Sequence, residues 1–346
     1  MQKTMKTTVL YAPGDFRIEE IPVPSAGKGE MVIEAKVGLT CGTDLKRYKR
    51  GYATMTPPYP IGHEFSGVVS EVGEGVKNFK VGDRVVSHNS APCGVCYFCK
   101  VGNFSMCENL SFYQAGWQQF VKIPAQIVKF NNVFHIPDDM SFKTAAMLEP
   151  LTTAEYGVNE SDIKQGDYVA VLGCGPLGLY LGKLARLRGA VVISMDKSEF
   201  RLETAKRIGS ADITLNVGEV DDQVAALRNL TPNKRGVDVA LEAVGTPQTW
   251  EMAIAMVRKG GTATLFGGCG PDTTITVDTK LLHYSQVTIK GVFHTTPRFT
   301  QAAFTHLKYG VFRDKDFVYN EYPLEEAEQA LIEHGSGKVI KNAILF

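Results

Sequence analysis

Tyr168-Val-Ala-Val-Leu-Gly-Cys-Gly-Pro-Leu-Gly178 decides the fold. Its first five residues form an unbroken apolar run, the length of a strand buried on both faces. Gly173-Cys-Gly175-Pro176-Leu177-Gly178 then fits G-x-G-x-x-G, and apolar-periodic sequence continues as a helix to about Arg188. Such a pattern also arises by chance, and the alternative is a glycine turn packing an ordinary βα unit. Its position between strand and helix gives it weight. There Gly173 permits the tight turn, Gly175 lets a pyrophosphate approach the backbone, and Gly178 lets helix pack on strand. The helix N-terminus, opened by Pro176 and Leu177, offers N–H groups and a positive dipole to phosphates.

The same rhythm continues outward. Val191–Met195 reads as a second strand, ended by Asp196, 23 residues after Gly173. An acid there meets the adenosine ribose hydroxyls and repels a 2′-phosphate, which favours NAD over NADP. Lys197 and Arg201 are cations that could tolerate that phosphate. A helix over Glu199–Ile208, a strand at Ile213–Leu215, a helix near 220–230 and a strand at Val237–Leu241 follow. A helix near 249–257 and strands at Thr262–Phe266 and Val287–Gly291 complete the series. Alternation of buried strands with helices implies an α/β fold, a doubly wound parallel sheet of Rossmann type. Val244, Gly267 and Phe293, just beyond predicted strands, join the cofactor-binding set; His294 could contact cofactor or line the pocket.

Residues 1 to about 144 have a different texture, with short β-like runs punctuated by Gly, Pro and Asn, as in Met31–Val37, Gly67–Val72 and Arg84–Val86. Helical periodicity is scarce there. Pro297–Phe346 carries a helix at Leu324–Glu333 and a terminal strand at Lys341–Phe346, and is expected to return to this first domain. The division is therefore a β-rich catalytic domain at 1–151 and 293–346, and a dinucleotide domain at 152–292. A chain of 346 residues suits two domains, and 44% hydrophobic with 21% charged residues excludes disordered and fibrous classes. Basic and acidic residues balance at 37 each, so no net field favours nucleic acid or an anionic membrane. The first ten residues lack a secretory apolar core and no stretch suits a membrane helix, so a cytoplasmic location is expected.

Four of the seven cysteines are clustered as Cys93-x2-Cys96-x2-Cys99-x7-Cys107. In a reducing compartment such clustering points to metal rather than disulfides. Four thiolates in one lobe suit tetrahedral zinc with no position left for water, hence a structural ion. Iron–sulfur ligation uses similar spacings and is the rival reading.

Cys41-Gly-Thr43-Asp44 and Gly62-His63-Glu64-x2-Gly67-x5-Gly73-x2-Val76 precede that lobe. Together with the lobe, the glycine turn and Asp196, all in family order, they resemble the zinc-containing alcohol dehydrogenases of the medium-chain dehydrogenase/reductase superfamily, over essentially the whole chain. The resemblance implies a GroES-like catalytic domain and a second, catalytic zinc held by Cys41, His63 and a carboxylate, with one position open to water or substrate oxygen. Such an ion makes a bound hydroxyl acidic near neutrality, and hydride then passes between carbon and nicotinamide. Thr43 matches the family hydroxyl that hands on the alcohol proton, and Asp44 would orient a ligand. Glu64 and Glu149 compete as the carboxylate. Leu148-Glu149-Pro-Leu151 resembles the sorbitol/polyol branch, which points to NAD-dependent oxidation of a secondary alcohol such as a polyol, cyclitol or sugar alcohol, phosphorylated or not. Cys-Gly-Thr-Asp and the cysteine loop also resemble threonine 3-dehydrogenase, the alternative together with other amino-alcohol dehydrogenases. The resemblance further implies a homo-oligomer, dimer or tetramer.

One departure stands out. Where family members commonly carry a relay histidine, five residues after the ligand cysteine, this chain has Lys46, followed by Arg47. Lys46 itself could end the relay; the pair could also bind a substrate phosphate or carboxylate, or be two solvated cations. His88, His135, His306 and His334 lack ligand spacing and read as surface or packing residues. Cys174 and Cys269 read as small residues at crowded backbone. Phe112 and Trp117 could line the substrate cleft, which strand ends and domain junctions favour; packing is the commoner role. A dinucleotide-binding protein without catalysis would lack a zinc ligand or the hydroxyl, and a zinc-free quinone-type reductase would lack both cysteine lobe and Gly-His-Glu. Neither matches.

Overall fold

A computed structural model describes residues 3–51, 55–113 and 115–346. It divides into two compact units, Met1–Thr152 with Thr295–Phe346, and Thr153–His294.

The second unit is built on a six-stranded, wholly parallel sheet. Tyr168–Leu172 lies at its centre, between Val191–Asp196 and Val237–Glu242. Ile213–Asn216 continues one side; Val257–Leu265 and Thr288–Gly291 continue the other. The strand order therefore reverses beside Tyr168–Leu172, the kind of crevice where such sheets bind ligands. Ala170, Leu172, Ile193, Met195, Ala240 and Ala263 are buried in the core, as strands covered on both faces require. Helix Pro176–Leu187 leaves the glycine turn with proline at its start, where the missing N–H costs nothing. The predicted strand at Thr262 begins earlier, at Val257. The longer strand takes in Gly260 and Gly261, with Gly260 at φ +70°.

The first unit centres on a seven-stranded sheet. Met31–Leu39 pairs with Phe65–Val72, Phe120–Ile123 and Lys341–Leu345. The terminal strand thus lies antiparallel to Met31–Leu39, with Ala343 opposite Leu39. The sequence understated helices here. Gly42–Arg50, Phe142–Ala146 and the start of Leu148–Glu160 are helical. Gly42–Arg50 has only Leu45 and Tyr48 as large apolar residues, and its buried residues are Asp44 and Arg47. A helix that buries charge carries no apolar stripe, so periodicity overlooks it. Among the described residues no helix is long and apolar enough to cross a membrane.

Candidate active site

Helix Gly42–Arg50 starts at Cys41, whose sulfur accepts a 3.5 Å hydrogen bond from the Thr43 N–H. One turn in, Asp44 is sealed from solvent and its Oδ1 accepts a 3.1 Å hydrogen bond from His63 Nδ1. Donor atoms of Cys41, His63 and Glu64 all lie within 4.8 Å of one another. Glu149, in the first turn of Leu148–Glu160, brings Oε2 to 3.8 Å from His63 Nε2. His63 therefore presents Nδ1 to Asp44 and Nε2 toward Glu149.

The two acids differ. Both Glu64 oxygens are engaged by Lys341 Nζ, at 2.8 and 2.6 Å, and a third lysine hydrogen bond runs 3.0 Å to the Thr40 carbonyl. Burial raises the Glu64 pKa, with Lys341 and His63 opposing. Burial pushes Glu149 up to about 7, opposed by His63 and reinforced by Glu64. For His63, burial alone would depress the pKa, but the charges of Asp44 and Cys41 outweigh it and hold it well above the ordinary value. The surroundings thus favour positive charge beside the ring, and a cysteine sulfur, an imidazole and carboxylates are a donor set that suits zinc. The residues fit a divalent cation.

The four lobe cysteines also converge, with all sulfurs within 4.8 Å of one another. Cys93–Cys99 and Cys96–Cys107 are each 3.9 Å apart. Zinc–sulfur bonds of about 2.3 Å in a tetrahedron put sulfurs ~3.8 Å apart. The spacing fits one tetrahedral ion. Backbone N–H groups of Val95 and Cys96 lower the Cys93 thiol to about 6, whereas burial lifts Cys99 to about 12.

In the other unit Gly173 takes φ +94°, and a Cβ on Gly178 would fall 1.8 Å from the Gly173 carbonyl oxygen. A Cβ on Gly175 would meet nothing within 4 Å. Asp196 accepts the Cys174 N–H at 2.8 Å and the Ser198 N–H at 2.9 Å, and Arg201 Nη1 is 3.8 Å from its Oδ2.

Comparison with known proteins agrees with this arrangement. The alcohol dehydrogenase GroES-like domain family matches residues 27–138 and the zinc-binding dehydrogenase family matches 176–308. Sorbitol dehydrogenase of Bacillus subtilis (strain 168) is 30% identical over 95% of this chain and 93% of its own length. The chain belongs to the zinc-dependent alcohol dehydrogenase family. L-threonine 3-dehydrogenase of the same organism is 33% identical over 98% of this chain and 99% of its own. A zinc-binding dehydrogenase structure from Sinorhizobium meliloti 1021 bound to NADP superposes with a TM-score of 0.91, at 26% identity over 100% of both chains. This family member is a dehydrogenase with a nicotinamide cofactor and zinc.

Against that family background, several sequence readings are sharpened. Arg47 is not a solvated cation; it is 6% exposed, while Lys46 is half-buried. Trp117 is fully buried, and a Cβ on Gly62 would lie 2.4 Å from its ring, so it packs and does not line a cleft. Phe112 is exposed. Val244 and Phe293 are also exposed, and Gly267 packs against Gly245 and Glu242. Cys174 is buried, and burial pushes its thiol up, as for an unreactive packing residue. Sequence reasoning missed Lys341. It stands 277 positions from Glu64, and a lysine in a terminal strand carries no local signal of burial.

Proposed function

We propose that this dehydrogenase catalyses reversible, NAD-dependent oxidation of a secondary alcohol in a polyol, cyclitol or sugar alcohol. The observation that carries this reading is Glu149, whose carboxylate is 3.8 Å from His63 Nε2 while Glu64 is held by Lys341. Cys41, His63 and Glu149 would hold the catalytic zinc, leaving one position open. When bound, that ion supplies Lewis acidity, lowering the pKa of an alcohol or polarising a ketone. The chain's own residues do the rest. Asp44 fixes the His63 ring, Lys341 engages both oxygens of Glu64, and the Thr43 hydroxyl passes the alcohol proton onward, toward Lys46 or solvent. Cys93, Cys96, Cys99 and Cys107 would hold a second, structural zinc.

The polyol assignment is supported by the relative named sorbitol dehydrogenase and by Glu149-Pro-Leu. NAD is favoured by the Asp196 carboxylate at the strand end, which repels a 2′-phosphate. The opposing features are Arg201 beside Asp196 and the NADP in the Sinorhizobium structure. A spectrophotometric screen of NAD and NADP reduction across sorbitol, other polyols, cyclitols, sugar phosphates and L-threonine tests both choices. The greatest kcat/KM is expected for a polyhydroxylated alcohol with NAD. Turnover of threonine far above every polyol would instead favour the threonine 3-dehydrogenase reading.

A further inference from the structure

We propose that Arg47 is a positioning residue, which fixes the Asp44 carboxylate and through it the ring of His63. The inference rests on the reading of His63 as a metal ligand. Arg47 lies one helical turn beyond Asp44, on the same face of Gly42–Arg50, with Nη1 3.7 Å from Asp44 Oδ1. That same oxygen accepts the His63 Nδ1 hydrogen bond. A single oxygen atom therefore faces both the ring and the guanidinium, and all three side chains are less than one-tenth exposed.

The separation of 3.7 Å exceeds hydrogen-bond length, so this contact acts through charge. Burial of an ionised carboxylate is unfavourable unless cationic partners face it. Arg47 supplies a permanent charge on a planar group, whatever occupies the metal position. It is enclosed rather than aimed at solvent. Tyr59, itself buried, is near enough for the Arg47 charge to act on its hydroxyl. An arginine serving as receptor for a substrate anion would have to be reachable, which Arg47 at 6% exposure is not. Its position instead suits the outer link of an Arg47–Asp44–His63 chain. Such outer links set which ring nitrogen faces the metal and how tightly the ring is held.

The test uses the full-length protein loaded with Co2+ in place of zinc. In wild type, Arg47→Lys, Arg47→Met and Arg47→Gln, the visible ligand-field spectrum and the rate of Co2+ loss to a chelator are recorded. Arg47→Met and Arg47→Gln are expected to release the ion about 10–100-fold faster, with an altered spectrum, and Arg47→Lys to recover part of the difference. Met keeps an aliphatic stem in the same space, so a lower melting temperature with unchanged release and spectrum in both neutral variants would overturn the proposal. A wild type whose cobalt spectrum is the same in Cys41→Ser would instead overturn the metal reading itself, and the proposal with it.

Discussion

Lys341 Nζ sits 2.6 Å from one oxygen of Glu64 and 2.8 Å from the other, and neither side chain reaches solvent. The terminal strand carries this ammonium group to a glutamate that directly follows a metal-ligand candidate. Removing one member of a buried pair leaves an uncompensated charge and typically costs about 3–5 kcal/mol. Lys341→Met is therefore expected to lower the unfolding free energy by roughly that amount in urea titration. Lys341→Met with Glu64→Gln should lose clearly less than Lys341→Met alone. Equal losses for the single and double variants would mean that the pair is not coupled.

Gly178 and Gly175 of the turn should respond differently. A Cβ at Gly178 would collide with the Gly173 carbonyl at 1.8 Å, a backbone contact that cannot swing aside. Gly178→Ala is expected to yield unstable or insoluble protein. Gly175 has an ordinary φ of −68° and open space around a Cβ. Gly175→Ala should keep stability within about 0.5 kcal/mol, yet weaken NADH binding by about tenfold or more, because the methyl group would stand in the approach expected for a pyrophosphate. Fluorescence titration with NADH, beside urea unfolding, separates the two effects. Normal NADH affinity in Gly175→Ala would count against the turn as the dinucleotide site.

The contrast shows what was legible in the chain. Strand, turn and helix of the parallel-sheet unit are written locally, because a doubly buried strand must be apolar throughout and G-x-G-x-x-G must be contiguous. The four-cysteine lobe is equally local. Lys341 and Arg47 are not. Each is a charged residue whose burial depends on a partner fixed by tertiary structure, and composition or periodicity assigns such residues to the surface. Helix Gly42–Arg50 was hidden for the same reason, since its inward face is ionic.

The lobe supplies a third prediction. Cys99 is buried and its thiol lies at about 12, so ionising it depends on a cation nearby. Ligation of the proposed structural zinc would displace that proton, and its binding free energy would become folding free energy. Cys99→Ala is expected to cost about one zinc per chain and to lower the urea midpoint. Metal analysis should still find the ion proposed at Cys41. Full zinc content in Cys99→Ala, with an unchanged midpoint, would remove the case for a structural ion.

His294 links pH to stability in a direction that can be worked out. Burial depresses its pKa from 6.5 to about 4, so the folded chain favours the neutral ring. Between those values the unfolded chain binds the proton and the folded chain does not, so stability rises with pH across that window. The contribution is complete above 6.5 and is lost as pH falls toward 4. His294 also has φ +64°, a conformation that asparagine accepts more readily than most residues. His294→Asn keeps that backbone while removing the titrating ring. Urea midpoints measured from pH 7 to 4 should therefore fall less steeply in the variant than in wild type. Parallel curves would show that the ring is as free to take a proton in the folded chain as in the unfolded one.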